Sequence, residues 1–536
     1  MMSRLRHLKP WAPFLVATII LGFCLLPAGR QPTGDAPHLL GISNRLAHEF
    51  TTFQWGDFAG HLNSLIAPHP PIGYLLPVLV YGFGFGTLTP FVCGLTALAL
   101  IWKGLRLLAE DEEIELPWIS LLVLLCCPLF WLAFSELYWD LLAASAIAMC
   151  LGHLAMSKAL TNRHHSIRFG VWMGVGFLTK YTFPAFAVFP ALLAGIAVVR
   201  NKAYKLLGFS LLAFLLVAGP WLLPHLTEVL PYVFDSLDSQ STMVDKASIA
   251  PAEPAYYLIV LKDAMGWPGL LVLSISLWSI RTKTGQIALA GAIGGLLVLS
   301  WMGQQEPRYL LPALPLLCYG VACSISQWQK RTQYICWGIL IAICGPMLSF
   351  SAGANQLTRQ QVPAERRHDH PRSTLSEWGQ WPRIHASFLP VSSHPDLYQI
   401  GPALEYLHKH KTPEDGNTVG LLLDLQGSAG EMKDGLFFQR SAELGFYWDF
   451  VSLAPPQGKG RVFGKFKGPF RSKNEAHSQF RLIYTATKAQ DKERNNWLDQ
   501  RQAIELQRID LPNKLVGRIV RLPAWESTAM DEDVKP

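Results

Sequence analysis

The chain reads as an α-helical membrane protein with a soluble domain at its carboxyl end, and three observations predict that class. Half of its 536 residues are hydrophobic and only 16% are charged, with a mean hydropathy of +0.22, outside the range of ordinary soluble domains. Nearly uncharged runs recur at about 17 to 25 residues, the length a helix needs to cross a hydrocarbon layer. After Phe350 the composition turns abruptly polar. The runs are too long and too evenly apolar for barrel strands, and unpaired backbone in lipid is prohibitively costly, so a helical bundle follows. The net charge of +7 does not point to nucleic acid. The cations cluster in short loops between the runs, as membrane orientation requires.

In order, Arg4, Arg6 and Lys9 precede an apolar run from Trp11 to about Ala28. It resembles a signal peptide but lacks a good small-residue cleavage pattern, so it is taken as an uncleaved first span with the amino terminus in the cytoplasm. The segment 29–87 is then the first external loop, periplasmic in a bacterium. Within it, 72–85 is apolar but short, is interrupted by Pro77 and ends in GFGFG, which predicts an interfacial or re-entrant helix. Counting it as non-spanning keeps every later basic cluster inside. Spans follow at 88–108, 118–134, 137–158, 169–182, 183–199, 206–223, 255–280, 286–302, 309–326 and 334–351, for about eleven in all. The nine cysteines, Cys24 to Cys344, lie in or beside these runs and read as small apolar fillers rather than disulfides or metal ligands.

The odd span count puts the tail in the periplasm, dividing the chain into a membrane domain, 1–352, and a soluble α/β domain, 353–536, whose first forty residues look like a linker. VGLLLDL, FRLIYTA and LVGRIVRL read as strands, and ALEYLHKH as a helix.

With this topology the polar residues at the outer face are Asp57, His61 and His69 in the first loop, Glu136 and Asp140 in SELYWD, Lys180, acids including Asp235 in the 224–254 loop, and Glu306 with Arg308 in QQEPRY. Ionisable groups at membrane depth are functional candidates by default. Asp57, His61 and Ser64 recur at helical spacing opposite Phe58, Leu62 and Leu65, predicting a short amphipathic helix on the membrane surface. Pro68, Pro70 and Pro71 hold His69 on a stiff extended arm.

An acid in the first external loop, then HPPIGYLL, FSELYWDLLAA, GVGFLTKYTFP and EPRYLLPALPLL, is an order that resembles the GT-C membrane glycosyltransferases. The likeness is nearest to the family 39 and 83 enzymes and the lipopolysaccharide-core galacturonosyltransferase-like group, which include protein O-mannosyltransferases and the aminoarabinose transferase of lipid A. It covers residues 10 to 330 or so, and the tail matches only in position and size.

The resemblance implies transfer of a sugar from a polyprenyl-phosphate carrier to an acceptor hydroxyl of a lipid, glycan or protein at the periplasmic face of the bacterial inner membrane. No cofactor or metal is implied. Such a reaction needs a base for the hydroxyl proton and cations for the departing phosphate. Asp57 matches the family's first-loop acid and would be the base, with inversion at the anomeric carbon. Asp140 matches the second-loop acid, which orients acceptor or donor sugar. Lys180 and Arg308 match basic positions suited to the phosphate, and His69 stands where some relatives have lysine. The chain has Asp57-Phe58 in place of the family's commoner acidic pair.

Each residue also has a plain structural reading. Asp57 could be a solvated surface acid, Asp140 a helix cap, Lys180 a snorkelling interfacial cation, Arg308 a partner for Glu306, and Tyr181 packing. Other functions compatible with many spans and buried charges are a transporter or lipid flippase and an O-antigen ligase or polymerase. Transporters show paired half-repeats broken at midplane, whereas here the candidates gather at one face.

Overall fold

A computed structural model describes residues 9–26, 36–65, 70–112, 114, 117–237, 256–301, 307–354, 400–410, 418–424, 449–452, 480–485, 504–510 and 516–521. The chain divides into two compact units: Met1–Gly29, Ile66–Gly73 and Pro90–Ser392 form the first, and Arg30–Leu65, Tyr74–Thr89 and Ser393–Pro536 the second. Most of the segment 29–87 belongs to the second unit. The linker expected after residue 353 lies almost wholly outside the described residues.

The first unit is helical, as its apolar runs require. Its helices are α1 (Ala12–Leu25), α5 (Thr89–Asp111), α6 (Trp118–Leu125), α7 (Pro128–Glu136), α8 (Trp139–Met156), α9 (Arg163–Phe177), α10 (Phe183–Asn201), α11 (Tyr204–Leu237), α12 (Tyr256–Met265), α13 (Trp267–Leu277), α14 (Lys283–Trp301), α15 (Leu314–Ser326) and α16 (Lys330–Ala354). The second unit holds α2 (Ala36–Thr51), α3 (Trp55–Ser64), α4 (Ile72–Gly82, whose first two residues belong to the first unit) and α17 (Ile400–His410).

α8 and α15 are each buried along nearly their whole length, so these two form the centre of the bundle. α10, α11 and α16 instead turn Leu192, Ile196, Leu212, Leu216, Ile335 and Ile341 outward. Large apolar side chains on the outside as well as the inside are what a lipid solvent permits and water does not. α9 packs closely on α11, and a Cβ at Gly170 would overlap the Ser210 backbone. The Ser210 hydroxyl donates to the Ser166 carbonyl at 2.8 Å across the same crossing.

Among the described residues six helices are long and apolar enough to span a membrane, and up to eight when each of two bent pairs counts as one. α1 and α15 fall short of that length, as does α9 with 15 residues. The run expected as one straight span at 118–134 is broken: α6 and α7 meet at 82°. Pro128 begins α7, and Cys127 before it is extended at φ −88°, ψ 113°. That is the conformation a following proline favours. The run at 255–280 bends by 117° beside Gly266, at φ +65°, a left-handed geometry suited to glycine. All nine cysteines are free thiols, most of them buried.

In the second unit, a five-stranded sheet has β1 (Thr418–Asp424), β2 (Asp449–Ser452), β3 (Phe480–Thr485), β4 (Ile504–Asp510) and β5 (Val516–Arg521) in the order β2-β1-β3-β5-β4. β1 runs parallel to β2 and β3, while β5 is antiparallel to β3 and β4. Three of these strands and α17 coincide with the sequence expectation. The sequence reading missed β2 and β4. β4 (IELQRID) carries four charged or amide side chains among seven residues, and β2 has only four residues, so neither shows a long apolar run.

Candidate active site

α7 ends on Glu136, its cap Leu137 is held left-handed at φ +50°, and α8 begins at Trp139. This abrupt turn, uncommon for a residue with a branched side chain, ends one helix on Glu136 and starts the next with Asp140 in its first turn. Asp140 is only 1% exposed. It is not the helix cap, which is Tyr138, and no side-chain cap bond is formed there.

Its carboxylate instead meets two cations. Lys180 Nζ donates to Asp140 Oδ1 at 2.6 Å, and Arg308 Nε lies 3.9 Å from Oδ2, an electrostatic contact too long for a hydrogen bond. Oδ2 is buried and has no hydrogen-bond partner among the described residues. The cations keep some access to solvent, with side chains 15% and 27% exposed. Each also lies over an aromatic ring: Lys180 Nζ is 4.7 Å from the Tyr309 centroid and Arg308 Cζ is 6.0 Å from that of Tyr138. Lys180 thus does not merely snorkel, since its ammonium is committed to a buried acid. Glu306, the alternative partner for Arg308, lies outside the described residues.

The proline arm reaches the same place. Ile72 N donates to the Leu178 carbonyl at 3.0 Å, two residues before Lys180. A Cβ at Gly73 would stand 2.8 Å from the Trp139 ring, next to Asp140. The residues that follow HPP, the YWD turn, the LTK turn and the PRY turn therefore converge within the first unit. His69 lies outside the described residues, and so does the side chain of Asp235.

Asp57 lies in the first turn of α3, in the second unit, and is exposed. The amphipathic helix expected there is present. The sequence reading passed over its neighbour Glu49, which is buried on α2 and accepts from His61 Nδ1 at 2.8 Å and Arg45 Nε at 3.4 Å. Its signal was an acid at the end of an amphipathic run. Lys262 on α12, 1% exposed, was also missed, although a Lys-Asp pair inside the apolar YYLIVLKDAM marks it. Among the described residues no group of three or more His, Cys, Asp and Glu side chains is placed to hold a metal ion.

No family model matches the chain. Over 94% of its length it superimposes on 97% of ArnT from Cupriavidus metallidurans bound to undecaprenyl phosphate, with a TM-score of 0.62 and 17% identity. The apo state of that protein matches with the same score at 15% identity, covering 97% of this chain and 98% of ArnT. A curated relative, GPI mannosyltransferase 4 of Debaryomyces hansenii, is 30% identical over 166 residues. That alignment spans 28% of this chain and 30% of the relative. The fold is that of ArnT.

Proposed function

We propose that this chain, a multi-pass membrane protein with the GT-C glycosyltransferase fold, transfers a sugar from a polyprenyl-phosphate carrier to an acceptor hydroxyl at the periplasmic face of a bacterial inner membrane. The observation that carries this reading is the buried Asp140 joined to Lys180 and flanked by Arg308. Two cations gather at one buried carboxylate in a poorly solvated setting. Such a site suits the phosphate that gains charge as the sugar leaves. Likeness to ArnT, solved with undecaprenyl phosphate, and to a mannosyltransferase supports the same chemistry.

In this reading Lys180 and Arg308 receive the phosphate, and His69 adds to its binding. Asp140 holds the cations and orients a sugar hydroxyl through Oδ2. Asp57 takes the proton from the acceptor as its oxygen attacks the anomeric carbon, and the C–O bond to the carrier phosphate breaks in the same displacement, with inversion. Its exposure on α3 leaves it accessible to an acceptor. The acceptor is a lipid, glycan or protein, and no cofactor is needed.

The test is turnover of a polyprenyl-phosphate sugar by wild type and by Asp35→Asn, Glu49→Gln and Asp57→Asn, the three acids of the segment 29–71. Loss of turnover in Asp57→Asn with donor binding retained is expected. Full turnover in that variant together with loss in Asp35→Asn would move the base to Asp35. No turnover of any such donor by the wild type, together with movement of a solute or lipid across the bilayer, would favour a transporter.

A further inference from the structure

The Trp278–Arg281 turn leads into α14, and Gln327, Trp328 and Gln329 link α15 to α16. The turn that carries Arg308 adjoins the other end of α15, a helix about 20 Å long. This corner therefore lies at the opposite end of the bundle from the Arg308 turn. An open groove of about 480 Å³ runs through it, and its lining includes Trp278, Arg281, Gln327, Trp328, Gln329 and Thr332. Its walls are tied down. Ser324 Oγ donates to the Ile275 carbonyl at 2.7 Å, and Gln333 Nε2 donates to the Ser326 and Trp328 carbonyls at 3.2 and 2.8 Å. Trp278 and Trp328 meet edge to face, with ring centroids 6.5 Å apart.

Arg281 gives the groove its charge. Its Cζ lies 3.5 Å from the Trp278 ring centroid, a stacking that holds the guanidinium plane and leaves its N–H edge free to donate. Among the described residues the Arg281 side chain makes no ion pair and no hydrogen bond. Glu112, an acid that reaches this corner, accepts instead from the backbone N–H groups of Lys283 and Thr284 at 2.8 and 3.3 Å. Gln329 and Thr332 bring an amide and a hydroxyl to the groove, and Lys330 and Arg331 stand between them in the chain. Apolar surface lies close by in sequence, with Leu277, Ile280 and Ile335 exposed by 46%, 59% and 56%. A basic groove walled by tryptophan at the end of a membrane bundle suits a lipid that carries an anionic head group. We propose that this groove binds the phosphate of an anionic phospholipid through Arg281, with the acyl chains lying along the exposed apolar side chains. The site is separate from the donor-phosphate site and does not rest on that reading.

The experiment titrates delipidated full-length protein in detergent with phosphatidylglycerol, with phosphatidylcholine and with sn-glycerol 1-phosphate, and reads each adduct by native mass spectrometry. Phosphatidylglycerol is expected to bind roughly tenfold tighter than phosphatidylcholine, the order of one charge-assisted hydrogen bond. Arg281→Gln should remove that preference and Arg281→Lys should keep most of it, because the charge remains. Equal affinity for the two lipids in the wild type would overturn the proposal. So would a preference that survives Arg281→Gln, which would put the lipid elsewhere on the protein. Glycerol phosphate bound as tightly as the lipid would assign the groove to a soluble phosphate and refute a lipid site. Arg281 is exposed, so its loss should not unfold the bundle. Should Arg281→Gln nevertheless fail to fold, Thr332→Val decides: phosphatidylglycerol bound severalfold more weakly supports the groove, and unchanged affinity refutes it.

Discussion

Lys180 Nζ and Asp140 Oδ1 are 2.6 Å apart although forty residues of chain separate them. The acid is buried and the lysine nearly so. Removing either partner leaves a charge in a poorly solvated place, a loss of about 3–5 kcal/mol for a buried pair. Lys180→Met and Asp140→Asn should each lower thermal stability in detergent and reduce transfer, while the double variant should lose less stability than the two singles summed. Strict additivity in the melting data would mean that the pair contributes no coupling.

Gly73 determines how closely the proline arm approaches Trp139. Its Cβ would lie 2.8 Å from the indole, and the chain there is also held by the bond from Ile72 to the Leu178 carbonyl. Gly73→Ala must push the indole or the arm aside, at a cost of about 1–3 kcal/mol. Because Trp139 precedes Asp140, sugar transfer should fall as well. Adding Trp139→Leu should return part of the stability, and no change in either measurement for Gly73→Ala would show that the arm yields freely.

The contact of α9 with α11 depends on Gly170, where any side chain meets Ser210 backbone. Gly170→Val should separate the helices and lower the melting temperature far more than Ser210→Ala. The latter removes a hydroxyl shared between the Ser166 and Leu206 carbonyls, a hydrogen bond typically worth about 1 kcal/mol.

Stability should also depend on pH through the first turn of α9. His165 Nδ1 lies 3.0 Å from His153 Nδ1. Burial pushes the pKa of His165 down, and His164 and Arg168 add to the shift while Glu110 opposes it. The folded chain therefore takes up a proton less readily than the unfolded one. The stabilising contribution is fully present above the ordinary histidine value of about 6.5 and is lost as pH falls below it toward the lowered folded value. The melting temperature should drop as pH falls below about 6.5, and His165→Gln should flatten that drop. An equal slope in both proteins would exclude His165 as its source.

Much of the molecule was legible in advance because hydropathy is a property of each segment. The helical runs, the short helix at 72–82, the amphipathic helix carrying Asp57 and three of the five strands follow from local pattern. The bends were less legible. Pro128 and Gly266 are visible in the chain, but whether such a residue kinks a span or breaks it depends on what covers the freed backbone. At the site, Asp140, Lys180 and Arg308 could be nominated because charges in apolar surroundings are conspicuous. Lys262 is just as conspicuous in YYLIVLKDAM, yet nothing local marks a buried lysine off from one that reaches the interface.

By itself, then, the sequence determined the class, a helical membrane bundle, and nominated a short set of ionisable residues at the ends of its runs. Only the tertiary structure decided that Asp140 takes Lys180 rather than capping its own helix, and that Arg308 lies at the same carboxylate. Only the tertiary structure put Ile72 and Gly73 against Leu178 and Trp139. The physical reason is that the cost of burying a charge can be read residue by residue, whereas the partner that offsets it is chosen by packing between helices far apart in the chain.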